Sequence, residues 1–206
     1  MFTFSDPTQF ILFIAALLVA ITIHEFSHAF MADRLGDPTP RLQGRLTLNP
    51  LAHLDPLGTL MLILVRFGWG KPVQFDPFNL KDPRRDAALI SFAGPASNFV
   101  LATFLGIVVR ALPETIFYLL PFIQLNVVLG VFNLVPIHPL DGGKVFIGLL
   151  APQTARVWDR LLQRYGLIIL LFLILPLFEG RPLVAVFIVP IINLLLTILV
   201  PLSPLI

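Results

Sequence analysis

Three stretches of the chain are apolar over a length that can cross a lipid bilayer, which needs about 20 residues. The first, residues 10–32, contains one charged side chain, Glu25, and two histidines. The second, residues 87–109, and the third, residues 115–137, contain no charged residue. The pattern predicts a bundle of membrane-spanning helices.

The C-terminal part of the chain contains two further apolar stretches that are less regular. Residues 182–206 are uncharged but include three prolines beyond the first position. Residues 165–178 are short for a span, and a crossing helix there would borrow residues 157–163. Basic side chains in such a helix can extend to the membrane surface while their stems remain in the apolar phase.

One apolar stretch, residues 58–65, is far too short to cross a bilayer. Gly- and Pro-rich segments flank it on both sides. Backbone that is not helical is tolerated at membrane depth only where protein or a water-filled cavity covers it. We therefore expect a re-entrant or interfacial element here.

The composition supports a membrane protein, because 57% of the residues are hydrophobic and 13% are charged, against about 25% charged in soluble domains. Basic and acidic residues number 14 and 12, and no basic block suggests a nucleic-acid partner. Cysteine is absent, which excludes disulfides and thiolate metal ligands. The first nine residues lack Lys and Arg, so we do not expect a signal peptide.

The basic residues predict the orientation of the chain in the membrane. If residues 58–65 do not cross, twelve basic residues lie on one side, and only Arg110 and Arg181 lie on the other. Lys and Arg are enriched in cytoplasmic loops. We therefore expect the N-terminus outside the cell and the loop after the first span in the cytoplasm.

The first span carries the motif His24-Glu25-Phe26-Ser27-His28. Residues four apart on a helix share a face, so the two histidines can bind one Zn²⁺ through their imidazoles. Glu25 can then take a proton from water beside the metal and pass it to a leaving amine. Alternatively, the span ends at Thr22 and the motif lies at the interface, although the apolar residues 29–32 continue the helix.

A catalytic zinc site needs a third protein ligand, and without cysteine it must be Asp, Glu or His. A helical rise of 1.5 Å per residue places His24 roughly 21 Å from Phe10, toward the cytoplasmic face. Asp141 follows the cytoplasmic end of the third span and is therefore the candidate. The alternative is that Asp141 and Gly142 form an ordinary turn before a helix.

Two separated motifs resemble those of the site-2 protease family of intramembrane zinc metalloproteases. They are the His-Glu-x-x-His pattern from His24 and the Asn-x-x-Pro-x-x-x-Leu-Asp-Gly pattern from Asn133. Residues 93–98 are similar to that family's intervening signature, and the resemblance covers roughly residues 10–148. The chain resembles the compact prokaryotic members that lack a PDZ domain.

The resemblance implies roles for particular residues. His24, His28 and Asp141 match the family's zinc ligands, and Glu25 matches its catalytic glutamate. Asn133 matches a polar residue near the site that steadies the oxyanion or the substrate backbone. Residues 44–77 resemble the family's membrane-embedded β-hairpin or loop, whose edge could bind an unwound substrate by strand addition.

Several further residues have less certain roles. His53 could line the active site or pair with Asp55 at the surface, and we favour structural or substrate-side support over zinc ligation. His138 could be a fourth ligand, but an interfacial position fits better. Asn98 is expected to make an interhelix hydrogen bond, and Gly94 should let helices approach closely.

These observations predict an all-α integral membrane protein, a polytopic helical bundle with a three-helix catalytic core and a small re-entrant or β-hairpin element. We expect one membrane-embedded peptidase domain over residues 1–206, with the core at about 10–150 and further helices at about 157–206. The expected function is zinc-dependent cleavage of transmembrane protein substrates in the cell membrane, with the active site near the cytoplasmic side. Homo-oligomerisation is left open, and the rival interpretation is a metal or proton transporter or an inactive helix-binding scaffold.

Overall fold

The computed structural model describes residues 6–58, 61, 70–176 and 182–200. Short 3₁₀ turns at Pro50–Ala52, Pro77–Asn79 and Pro113–Thr115 connect longer helices. The α-helices with bounds inside these ranges are α1 (Pro7–Arg34), α2 (Thr39–Leu42), α3 (Pro83–Ala111), α4 (Ile116–Asn133), α5 (Asp141–Leu149), α6 (Pro152–Ile174) and α7 (Leu183–Leu199).

The two longest helices begin at the same kind of signal. Asp6 precedes α1, and its carboxylate accepts the N–H of Thr8 at 2.8 Å. Asp82 precedes α3, and its carboxylate accepts the N–H of Arg85 at 3.2 Å. A proline follows each aspartate, at the first helical position, where the missing N–H would have had no partner within the helix.

Three helical segments are long and apolar enough to cross a membrane. They are Pro7–Arg34 with 28 residues, Pro83–Ala111 with 29, and Pro113–Asn133 with 21. On α3, large apolar side chains such as Phe104 and Ile107 are about 60% exposed, as expected of a surface that faces lipid. Each of the three predicted spans therefore corresponds to a helix that is long and apolar enough to cross a membrane, and the predicted helical bundle is present.

Two predicted spans end earlier than the apolar pattern suggested. The third was expected to reach residue 137, but α4 ends at Asn133, because Pro136 lacks an N–H and disfavours a helical conformation at Val135. The fourth was expected over residues 182–206, but α7 has 17 residues. Val200 leaves the helical conformation immediately before Pro201, for the same steric reason.

The segment expected to borrow upstream residues forms one helix with them. α6 has 23 residues and begins at Pro152. It therefore contains Arg156, Arg160 and Arg164 as well as the apolar residues up to Ile174. Its first half presents Trp158 and Leu161 at the surface, and Ala155 and Leu162 are buried. The helix is therefore amphipathic at its start and apolar toward its end.

Helix α3 lies at the centre of the bundle, where it contacts α1, α4, α5 and α7. Its buried residues Ala102 and Val109 pack against Ile123, Val127 and Val131 of α4. The face toward α1 is different in character, because buried Asn98 and Gly94 lie on it. The apolar core therefore fixes α3 against α4, and the polar face of α3 is turned toward the histidine-bearing helix.

Most of the predicted re-entrant or β-hairpin element, residues 58–65, lies outside the described residues. At its base, Leu54 and Gly70 form an antiparallel bridge, and the N–H of Lys71 donates to the carbonyl of His53 at 2.8 Å. The chain thus returns antiparallel to itself at these positions. Within the described ranges this bridge is isolated, and the regular secondary structure is helical.

Candidate metal centre and active site

Three potential metal ligands meet where α1 passes the start of α5. Nε2 of His24 and Nε2 of His28 each lie 3.1 Å from the same carboxylate oxygen of Asp141. The ligand atoms of the group all lie within 4.8 Å of one another. Both histidines are buried, with 4% and 7% of their surface exposed. The residues that the sequence analysis placed at one membrane depth are therefore in contact.

Hydrogen bonds on the far side of each imidazole orient these histidines. Nδ1–H of His24 donates to Oδ1 of Asn98 at 2.6 Å, and Nδ1–H of His28 donates to the carbonyl of Ile90 at 2.7 Å. A neutral imidazole has one N–H, so both Nε2 atoms present lone pairs toward Asp141. Histidines that bind metals are usually held in this way.

The geometry fits a zinc ion. Two imidazole lone pairs and a carboxylate oxygen of Asp141 point at one another, and only a cation or extra protons can offset their mutual repulsion. Tetrahedral ligands at about 2.0–2.1 Å from zinc are separated by about 3.3 Å, close to the observed 3.1 Å. Two histidines and one carboxylate also form a known catalytic zinc set that leaves a fourth position open.

Close contact between α1 and α3 depends on Gly94. A Cβ atom at this position would lie 2.4 Å from Nε2 of His28 and 2.8 Å from Cε1 of His24. Nearby, the hydroxyl of Ser97 donates to the carbonyl of Gly94 at 2.7 Å and lies 3.4 Å from that of Ile23 in α1. The expectation that Gly94 allows close helix approach is confirmed.

The turn between α4 and α5 sets the position of Asp141. Directly after Asp141, a Cβ at Gly142 would lie 2.3 Å from the carbonyl oxygens of both Leu134 and Val135. The residue must therefore be glycine for the turn to fold back on the end of α4. This close approach places Asp141, the first residue of α5, against the histidines of α1.

Glu25 is held by a segment of the loop between α1 and α3. One oxygen of its carboxylate accepts the N–H of Val73 at 2.9 Å. Val73 belongs to residues 70–76, which we call the strap. The other oxygen lies near Gly70, the first residue of the strap, 3.9 Å from where a Cβ atom of that residue would be.

A buried arginine and a buried aspartate fix the strap. The guanidinium of Arg45, of which 4% of the residue surface is exposed, donates to the carbonyls of Lys71 and Pro72 and to that of Ala52. Further along, the carboxylate of Asp37 accepts the N–H of Asp76 at 2.7 Å. The strap is thus held on both sides of the residue that contacts Glu25.

A lysine side chain also lies beside the site. Nζ of Lys144, one turn after Asp141, is 4.4 Å from the ring centroid of Phe75 in the strap. Its charge interacts with the carboxylates of both Asp141 and Glu25. The sequence analysis gave Lys144 no role at the site, because nothing in the local pattern shows which part of a long loop will face α5.

The other predicted site residues lie outside the three-residue metal group. The side-chain amide of Asn133 donates to the carbonyl of Leu129 at 3.0 Å, within its own helix. His53 is fully buried, not at the surface, and its Nε2–H donates to the carbonyl of Thr47 at 2.8 Å. His138 lies 3.4 Å from a carboxylate oxygen of Asp159 in α6. Asn98 makes the interhelix hydrogen bonds that were expected of it.

Comparison with known proteins identifies the family. The profile of Peptidase family M50 matches residues 109–177. The candidate zinc metalloprotease YwhC of Bacillus subtilis is 39% identical over 174 residues, which cover 78% of this chain and 78% of that protein. The chain belongs to peptidase family M50, the site-2 proteases.

More distant relatives of this M50 protein have similar descriptions. The candidate zinc metalloprotease Rip2 of Mycolicibacterium smegmatis is 37% identical over 180 residues, covering 81% of this chain and 68% of that protein. The zinc metalloprotease MJ0392 of Methanocaldococcus jannaschii is 26% identical over 164 residues, covering 76% of this chain and 41% of that protein. No solved structure matches the chain significantly.

Proposed function

We propose that this intramembrane zinc metalloprotease holds its zinc ion with His24, His28 and Asp141 and uses Glu25 as general base and acid. The convergence of three lone-pair donors beside Glu25 is the observation that carries the proposal. Zinc bound there would supply Lewis acidity, which polarises a peptide carbonyl and lowers the pKa of water.

In the proposed mechanism, the side chain of Glu25 transfers one proton. Glu25 takes it from the attacking water and delivers it to the amine that leaves when the peptide bond breaks. The N–H of Val73 occupies one carboxylate oxygen of Glu25, so the other oxygen is the one available for the proton. Asn98 and the carbonyl of Ile90 keep both imidazoles oriented throughout.

The substrates we propose are transmembrane segments of other membrane proteins, cut within or near the bilayer. A transmembrane helix buries its peptide groups in hydrogen bonds, so the substrate must unwind locally before it reaches Glu25. We place the active site near the cytoplasmic face, because the basic residues concentrate on the side of Lys71 and Lys144, and such residues are enriched in cytoplasmic loops. We treat residues 1–206 as one peptidase domain with its core at about 10–150.

The test of the base is the Glu25→Gln variant in a reconstituted cleavage assay with single-span substrates. The amide cannot act as a base, so cleavage should fall by at least ~10²-fold, with zinc content and substrate binding retained. Glu114→Gln makes the same change on the exposed turn before α4 and should cleave as the parent does. Cleavage by Glu25→Gln at the parental rate would refute the role of Glu25. No cleavage of any substrate by the parent would favour a transporter or scaffold.

The test of the metal site is the zinc content of purified variants. Asp141→Ala should lose most of the zinc, because it removes the only carboxylate of the three-residue group. His53→Ala should keep it, because the His53 side chain bonds to Thr47 and not to this group. The opposite result would show that the third ligand was assigned to the wrong residue.

A further inference from the structure

Two asparagines are buried side by side in the apolar core of the bundle. Asn98 of α3 and Asn126 of α4 are both fully buried, at positions within the membrane-spanning segments. Burying a polar group without a hydrogen bond is strongly unfavourable, and intramembrane polar residues commonly have a function. The contacts of these two amides therefore indicate what they do.

Asn98 connects three helices through directional hydrogen bonds. Its Nδ2 donates to the carbonyl of Ala20 at 3.1 Å and to Oδ1 of Asn126 at 2.7 Å. Its Oδ1 accepts Nδ1–H of His24 at 2.6 Å. Both N–H groups and the oxygen of the amide are engaged in this orientation. Rotating the amide by half a turn would set its oxygen against two acceptors and its N–H groups against His24.

Asn126 makes that rotation unfavourable. Its own Nδ2 donates to the carbonyl of Phe122 at 2.8 Å, one helical turn earlier. With Nδ2 committed there, Oδ1 of Asn126 must face Asn98 and can only accept a hydrogen bond. The direction of bonding thus passes from Phe122 through Asn126 and Asn98 to His24, and it requires His24 to carry its proton on Nδ1.

We propose that Asn126 is a positioning residue that acts through Asn98 to hold His24 in the tautomer whose Nε2 lone pair faces the metal. The inference rests on the proposed function, because it concerns a ligand of the proposed zinc ion. Asn126 itself touches neither His28 nor Asp141 in any contact that the described residues show. Its effect on the metal must therefore depend on the presence of Asn98.

This dependence is tested by a double-mutant cycle on zinc affinity, measured by competition with a chelator. Asn98→Leu removes the acceptor for His24 and should weaken zinc binding by about 10–100-fold, the usual effect of losing such a partner. Asn126→Leu should weaken it by about 10-fold, at the lower end of that range. The double variant should be no weaker than Asn98→Leu, because the two residues act in series.

Two further variants separate the effect of the hydrogen-bond chain Asn126–Asn98–His24, which we call the relay, from a general loss of packing. Asn126→Asp, neutral in the apolar core, keeps a carbonyl for Asn98 and an O–H for Phe122, so it should bind zinc as the parent does. Asn193→Leu removes a half-buried amide from α7, away from the metal group, and should also leave zinc affinity unchanged. Thermal unfolding with excess zinc confirms that each variant is folded.

The tautomer can be read directly in metal-free protein by nitrogen NMR of labelled histidine, since the chain has only four histidines. The parent should show His24 protonated on Nδ1, and Asn126→Leu should show a mixture of tautomers. Parental zinc affinity together with a parental tautomer in Asn126→Leu would overturn the relay alone. Affinity losses that multiply in the double variant would do so as well. A parent that binds no zinc would overturn the proposed function, and the NMR result would still decide whether Asn126 controls the tautomer.

Discussion

Replacing Gly94 with alanine tests how tightly α3 is packed against His24 and His28, the proposed metal ligands. The added Cβ would lie 2.4 Å from Nε2 and 2.5 Å from Cε1 of His28, and 2.8 Å from Cε1 of His24. Ordinary van der Waals contact begins at 3.4 Å, so α3 or the imidazoles must move by about 1 Å. The imidazoles cannot move freely, because Asn98 and Ile90 hold their Nδ1 atoms.

The magnitude of this displacement predicts separate effects on folding and on metal binding. Overpacking of a close-packed interior costs about 1–3 kcal/mol, which a folded bundle can survive. Metal–ligand distances in protein sites lie within about 0.2 Å of their usual values, so a displacement of about 1 Å is about five times that spread. We expect the zinc affinity of Gly94→Ala to fall by ~10²-fold or more. This is at or beyond the upper end of the loss seen when a residue that hydrogen-bonds a metal ligand is removed.

The assay is chelator competition for zinc, combined with thermal unfolding followed by circular dichroism. Gly130→Ala is the matched control, because its Cβ would lie 2.8 Å from the ring of Phe99, which is not a metal ligand. That control should lose stability and keep its zinc. Should Gly94→Ala bind zinc as tightly as the parent, the close approach of α3 to the two imidazoles would be wrong.

Three further predictions concern the strap, the buried Asp37 and the topology. Arg45→Lys leaves one nitrogen where a guanidinium serves three carbonyls, so the strap should loosen and cleavage should fall roughly 10-fold or more at unchanged zinc content. Arg41→Lys, on an exposed ion pair, should cleave normally, and an equal loss there would refute the role of the strap. Burial alone would raise the pKa of Asp37, but hydrogen bonds from Thr39, Asn79 and Asp76 lower it. This stabilisation is present above about pH 4 and is lost as pH falls through the lowered pKa, so parental unfolding temperatures should drop there more steeply than those of Asp37→Asn. The cysteine of a Lys81→Cys variant should not react with a membrane-impermeant thiol reagent added to intact cells. Labelling from outside would show that the proposed orientation is wrong.

The sequence pattern was sufficient for the parts of the site that depend on spacing along one helix. His24 and His28 share a face because a four-residue interval does so on any helix, and the long apolar runs fixed the depth at which Asp141 meets them. The end of α4 could also have been predicted from Pro136, whose effect on the preceding residue is local. A count of apolar residues alone predicts a longer span, because it does not include this local effect of proline.

The contacts that depend on helix rotation or on loop path were not predictable. Hydropathy shows that residues 115–137 are apolar but not which face of α4 turns toward α3, so the pairing of Asn126 with Asn98 did not follow. An amide inside an uncharged span was nevertheless a signal that could have been followed. Val73 contributes only its backbone N–H, which every residue but proline has, so no sequence feature marks it.

Helix α3 carries a second pattern with the same four-residue interval that separates His24 and His28 on α1. Ile90, Gly94 and Asn98 are spaced by four residues on the helix that packs against His24 and His28. The outer two positions supply the carbonyl and the amide that accept the imidazole protons, and the middle one supplies space. Rotating α3 by one residue would turn this face by about 100° and remove all three contributions together. The two patterns therefore form one unit across the α1–α3 pair, and the apolar packing of α3 on α4 supports α3 from its other side.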